Sequence, residues 1–207
     1  MNNPAKKIES QVKDKGLIET RRMEIVRAAV DLFVRKGFHK TTVREIAREF
    51  GMSVGTLYEY IRTKEDILFL VCDYIHASVR ERVTPFLEPD TSSSASLKKA
   101  IDAYVRIIDE MQDYIVFLYQ ETKSLSPEDR KYIFGAEVKM TAIFEDILKK
   151  GVVAGEFDIP QKDIHLIAHN IMVLGQMWAL RRWAVRKKYS LKKYIDLQTG
   201  FILSDIT

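Results

Sequence analysis

An all-α fold follows from three observations on the 207-residue chain. Apolar residues recur at helical spacing through most of its length, as Ile25, Ala28, Ala29, Leu32 and Phe33 do near the start. No stretch alternates with period two for long enough to make a strand, and no internal repeat is visible. Gly, Ser, Thr and Pro fall where helices would begin and end. Together these predict nine helices.

Composition narrows the class further. Hydrophobic residues make up 46% of the chain, ample for a packed interior. No apolar run approaches the ~18 residues of a membrane span, and the start lacks the apolar core of a signal peptide. A soluble cytoplasmic protein with no membrane partner is expected. The lone cysteine, Cys72, excludes a disulfide framework or a cysteine-rich metal site, and its apolar helical surroundings predict a buried thiol. Residues 1–67 hold 14 Lys and Arg against 10 Asp and Glu, while residues 68–207 hold 19 of each. The whole net charge of +4 therefore lies in the first third, where phosphate neutralisation would need it.

Taken in order, residues 1–17 are polar and weakly periodic and predict a flexible or partly helical arm, a solvated tail whose Lys6, Lys7, Lys13 and Lys15 could alternatively meet the phosphate backbone or a minor groove. A first helix runs from Thr20 to Lys36 and stops at Gly37, with Phe38 filling the space beyond it. The stretch Thr41–Asp66 then reads as two short helices and a tight turn. Thr42 and Glu45 form a capping box, Val43, Ile46, Ala47 and Phe50 make an apolar face, and Gly51 ends the helix. Ser53 caps the next helix, which turns Leu57 and Ile61 inward and leaves Ser53, Thr56, Tyr58 and Tyr60 outward as hydroxyl donors. That spacing predicts a helix-turn-helix rather than an ordinary helical hairpin.

Thr63 caps a fourth helix with Asp66 at its third position, and Lys64 beside the free N–H groups would clamp a phosphate. The helix continues to about Pro85, past the expected domain boundary, and is placed to carry movement from one domain to the other. Glu88–Ser96 is the predicted linker. Helices follow from Leu97, through the all-round apolar run Tyr114–Tyr119, and from Pro127 to Gly151, with Phe134 and Phe144 among the inward residues. Two last helices are expected over 161–187 and 190–204. Gly175 and Ala179 would permit close approach of a neighbouring helix.

The run from Ile25 to Leu68, with its "IA…GMSVGTLYEYI" core and Lys-Glu-Asp-Ile-Leu helix start, resembles the TetR family of bacterial repressors. Ile61 stands where that family usually has an aromatic. The resemblance implies a DNA-binding helix-turn-helix domain over 1–66 and a six-helix ligand-binding and dimerisation domain over 67–207. It also implies a homodimer paired through the last two helices. Two-fold symmetry would set paired recognition helices about 34–36 Å apart, the spacing of half-sites in a palindromic operator. On double-stranded DNA, Thr42, Ser53, Tyr58, Tyr60 and Lys64 are expected at phosphates, and Arg44, Val54, Gly55 and Thr56 nearest base edges.

Members of that family answer either to fatty acyl-CoA or to lipophilic cations, which require opposite electrostatics. An acyl-CoA effector would use an apolar tunnel and a basic mouth: Tyr104, Ile108, Met111, Phe117, Phe144, Met172 and Trp178, then Arg181, Arg182 and Arg186. The run from Arg181 to Lys193 holds seven basic residues and no acid, which also suits a solvated helix end. A drug-sensing site would use Glu110, Glu121 or Glu137 among aromatic faces. No cofactor is expected beyond such an effector. An all-α enzyme finds little support. His165 and His169, four apart on one helix face, lack the HExxH context of a catalytic zinc site, and no phosphate loop or nucleophile elbow occurs. A purely architectural DNA-binding protein would not need the ~140 residues after the motif.

Overall fold

The computed structural model describes residues 8–86 and 92–207. Within them the regular structure is ten α-helices and two short 3-10 turns. The helices are α1 (Lys15–Lys36), α2 (Val43–Phe50), α3 (Val54–Tyr60), α4 (Lys64–Val83), α5 (Ser93–Glu110), α6 (Gln112–Glu121), α7 (Pro127–Val153), α8 (Ile164–Leu180), α9 (Arg182–Val185) and α10 (Leu191–Ile206). The chain forms two compact units, Met1–His76 with Phe117–Ala136, and Ala77–Val116 with Glu137–Thr207. Their boundaries fall inside α4, α6 and α7, so the first unit extends beyond residue 66 and draws on one later segment, Phe117–Ala136.

In the first unit α1, α2 and α3 pack on one another. Ile25 and Phe33 from α1, Ile46 from α2, Leu57 from α3 and Ile61 just after it lose all contact with water. Each such side chain contributes about 1.5–3 kcal/mol of burial. Phe38 sets its ring edge-on to Phe33 at 5.4 Å, filling the corner after α1 as the sequence predicted. Phe117 stacks on the other side of Phe33 at 5.9 Å. Cys72 is buried, and the loss of solvation raises its thiol to about 12, so it is inert as a nucleophile.

In the second unit α5 lies against both α8 and α10. Tyr104 of α5 sits edge-on to Phe144 at 5.6 Å and donates its hydroxyl to the Met172 carbonyl at 3.3 Å. Trp178 donates its indole N–H to Asp109 at 2.7 Å and tilts over Tyr194 at 4.9 Å. The Glu156 carboxylate accepts the backbone N–H groups of Ser93 and Ser94, capping α5 from a distant loop and holding its own pKa below the usual carboxylate range.

Several expectations change. Residues 8–11 hydrogen-bond to α1 and α3, and α1 begins at Lys15, capped by Asp14. The expected helix over 161–187 breaks after Leu180 into α8 and the four-residue α9. The predicted linker overlaps α5, which starts at Ser93; residues 1–7 and 87–91, with Lys6 and Lys7, lie outside the described residues. Tyr119 is 72% exposed, so α6 is not buried all round, and Phe134 faces water too. Among the described residues no helix is long and apolar enough to cross a membrane.

Candidate functional site

The helix-turn-helix forms from local rules that the sequence states openly. Thr42 Oγ1 accepts the Glu45 N–H while the Glu45 carboxylate accepts the Thr42 N–H, a closed capping box. Lys36 donates to the same carboxylate at 2.6 Å. That lysine first, and then the Thr42 donors, hold Glu45 down at about 2. Gly51 takes the left-handed conformation at φ 77°, and its N–H returns to the Ala47 and Arg48 carbonyls. Ser53 caps α3 through the Thr56 N–H, and its Oγ meets Thr56 Oγ1 at 2.9 Å.

Solvent then selects the reading face. Thr42, Arg44, Ser53, Gly55 and Tyr58 are exposed, and Val54 and Thr56 are partly so. All lie on α2, α3 or their caps. Gly55 has no positive φ, and a Cβ there would meet only Ser53 Oγ at 3.6 Å, an ordinary contact. Nothing inside the fold requires glycine at that position. Tyr60 corrects the expectation. It stands three residues after Leu57, on the buried stripe of α3, and is only 7% exposed. Its ring supports the helix from within, and its side chain interacts with that of Arg21.

Lys64 holds an intermediate place. Its ammonium donates to the Phe38 and Thr41 carbonyls at 2.8 and 2.9 Å and lies 4.2 Å from the Phe38 ring centroid. Two of its three donors thus bind the α1–α2 corner to the start of α4. Beside it, Asp66 accepts the Arg62 and Thr63 N–H groups while Thr63 Oγ1 accepts the Asp66 N–H, closing the predicted cap.

The predicted effector residues are divided between the units. Tyr104, Ile108, Met111, Phe144, Met172 and Trp178 are all buried in the second unit. Phe117 belongs to the first, where its ring completes the core around Phe33. The three arginines are exposed or partly exposed, but two are engaged by carboxylates. Arg182 pairs with Asp113, and Arg186 donates to Gln112 at 2.8 Å with Asp109 at 3.8 Å. Arg181 rests on the Trp183 ring. Of the acidic candidates, Glu110 is exposed and pairs with Arg82, Glu137 accepts from Gln176 at 2.7 Å, and Glu121 in the first unit accepts from Ser124 at 3.2 Å.

Gly175 and Ala179 do not offer a surface for another subunit. A Cβ on Gly175 would lie 2.3 Å from Tyr104 Cε1, and Ala179 is 1% exposed, so both serve packing within the protomer. The exposed apolar residues of these helices are Leu166 (62%) and Val173 (59%) on α8 and Phe201 (65%) on α10. His165 Nδ1 donates to the Glu145 carboxylate at 2.7 Å, and its ring lies 4.5 Å from that of His169. Among the described residues no group of three or more His, Cys, Asp or Glu is arranged to hold a metal ion.

Comparison with known proteins agrees with this geometry. Residues 25–71 match the family model described as bacterial regulatory proteins of the tetR family, and residues 90–183 match a tetracyclin repressor-like C-terminal domain. The HTH-type transcriptional regulator HbdR of Aromatoleum sp. (strain CIB) is 32% identical over 192 residues, covering 93% of this chain and 83% of that protein. A tetR-family regulatory protein from Rhodococcus RHA1 superposes with a TM-score of 0.76 at 28% identity, over 93% of this chain and 97% of that one. The regulator FadR of Bacillus subtilis, crystallised with stearoyl-CoA, gives 0.71 at 22% identity over 88% and 95%. These proteins are transcriptional regulators rather than enzymes, and the chain belongs with them to the tetR family of bacterial regulatory proteins.

Proposed function

We propose that the protein is a homodimeric repressor that binds a palindromic double-stranded operator in the cytoplasm and is released by a long-chain acyl-CoA or a similar amphipathic anion. The observation that carries the DNA reading is the exposed start of α3. Ser53, Val54, Gly55, Thr56 and Tyr58 face water on a helix anchored from behind by Leu57, Tyr60 and Ile61. Arg44 stands ready for a base edge, and the remaining donor of Lys64 for a phosphate. Leu166, Val173 and Phe201 supply the apolar surface on which two copies would meet, since large exposed apolar groups mark interaction sites.

For the effector, apolar residues of α5 and α8 precede a basic run, which suits an acyl chain followed by phosphates. The stearoyl-CoA bound to FadR supports the same class. Phosphates would take over Arg182 and Arg186 from Asp113 and Asp109, which makes binding dependent on ionic strength. A lipophilic cation needs a desolvated carboxylate among aromatic faces; Glu110 is exposed, and the half-buried Glu121 and Glu137 are already engaged by Ser124 and Gln176. The test is operator release by CoA thioesters of increasing chain length. Affinity should rise by up to ~0.8 kcal/mol per methylene until the chamber is full. Release by lipophilic cations, with no response to any thioester, would overturn this reading.

A further inference from the structure

A seven-residue recognition helix is a weak structure taken alone, because its last carbonyls have no partner within the helix. In α3 the last two of those carbonyls are taken by residues far away in sequence. Glu59 O accepts the Gln11 N–H at 2.9 Å and the Ser10 hydroxyl at 2.8 Å. Tyr60 O accepts Arg22 Nε at 2.9 Å. The same guanidinium reaches the other way, donating from Nη2 to Ile8 O at 2.8 Å. Ile8 is buried, Ser10 Oγ also accepts the Val12 N–H, and Glu9 pairs with Arg62 just beyond α3. Arg22 is partly desolvated, which lowers its pKa against the opposing pull of Asp66. One planar fork therefore links the chain before α1 to the end of the DNA-reading helix.

We infer that residues 8–14 and Arg22 form a strap that fixes the orientation of α3, so that discrimination between DNA sequences depends on residues that touch no base. The inference rests on α3 being the reading helix. A loosened α3 loses the bidentate and close-fitting base contacts, which depend on angle, before it loses diffuse attraction to phosphate, which does not. Arg22 is in this sense a positioning residue.

The experiment uses the full chain, a duplex selected by the wild-type protein from a random pool, and a scrambled duplex of equal length. Arg22→Gln should lower the ratio of selected to scrambled affinity about tenfold and Ser10→Ala about threefold. The salt dependence should be unchanged in both, and amide exchange at Leu57 to Ile61 should quicken. Ser10 is an exposed partner of a backbone carbonyl, so its variant reports even where Arg22→Gln fails to fold. An unchanged ratio in Ser10→Ala and in folded Arg22→Gln overturns the strap. A salt slope reduced by about one in Arg22→Gln does so too, because it would make Arg22 a phosphate contact. A wild-type protein without sequence preference would instead overturn the reading of α3, and the strap's role with it.

Discussion

Substituting alanine for glycine at two helical positions should move stability in opposite directions, and the structure says by how much. Gly135 in α7 has nothing within 4 Å of where a Cβ would sit. Alanine there gains ~0.5–1 kcal/mol by removing backbone freedom from the unfolded chain. Gly175 in α8 would place its Cβ 2.3 Å from Tyr104 Cε1 and 2.8 Å from Cδ1. The ring cannot swing away, because Tyr104 is 1% exposed, abuts Phe144 and is bonded through its hydroxyl to Met172 O. Overpacking of this kind costs ~1–3 kcal/mol beyond the propensity gain. For a chain of this size about 1 kcal/mol corresponds to ~2–4 °C. Thermal unfolding followed by circular dichroism at fixed protein concentration should show Gly135→Ala melting higher by about 1–4 °C and Gly175→Ala lower by about 2–12 °C. A Gly175→Ala protein that melts at or above wild type would refute the packing argument. One of unchanged stability that sediments as a monomer would place Gly175 at a subunit contact instead.

The other expectations concern DNA, assembly and pH. Arg44→Ala should relax preference at one operator position by ~1–3 kcal/mol, whereas Lys64→Ala should weaken all sequences alike and reduce the salt slope by about one. Because Lys64 also joins two carbonyls, its variant should unfold at lower temperature as well. Leu166→Glu combined with Phe201→Glu should give folded monomers with poor operator affinity; a dimer in sedimentation would put the interface elsewhere. Glu45 is held at about 2 against an ordinary 4.5. Its contribution to stability is therefore complete above 4.5 and is lost as pH falls towards 2, and Glu45→Gln should flatten the acid side of the stability profile over that window. An unaltered profile would show that the Glu45 charge, with its Lys36 partner, adds nothing in the folded state.

The helix-turn-helix was legible because its determinants are local. Capping boxes, a left-handed glycine and i, i+4 stripes act within four residues, so the sequence carries them directly. The burial of the Tyr60 ring follows from one further step in the same rule, since Leu57, Tyr60 and Ile61 share a stripe. The strap had no local signal, because Arg22 looks like any exposed helical arginine until Tyr60 O and Ile8 O arrive from elsewhere. Gly175 and Ala179 show a deeper ambiguity. Small residues permit close approach, but spacing alone does not say whether the approaching ring belongs to the same chain. The basic run was counted correctly, while the pairing of Arg182 and Arg186 with acids of α5 and α6 lay beyond what charge counting reveals.

Gly55 has a consequence for how such a regulator could change its target. Its backbone lies outside the left-handed region and a Cβ there would make only an ordinary contact with Ser53 Oγ, so folding does not require glycine. Val54, Thr56 and Tyr58 beside it are exposed or partly so, while Leu57, Tyr60 and Ile61 keep the helix seated. Selection can therefore rewrite the address this protein reads without first finding compensating changes in its interior. Libraries randomised at 54, 55, 56 and 58 should consist largely of well-folded proteins, differing in the DNA they prefer rather than in whether they survive.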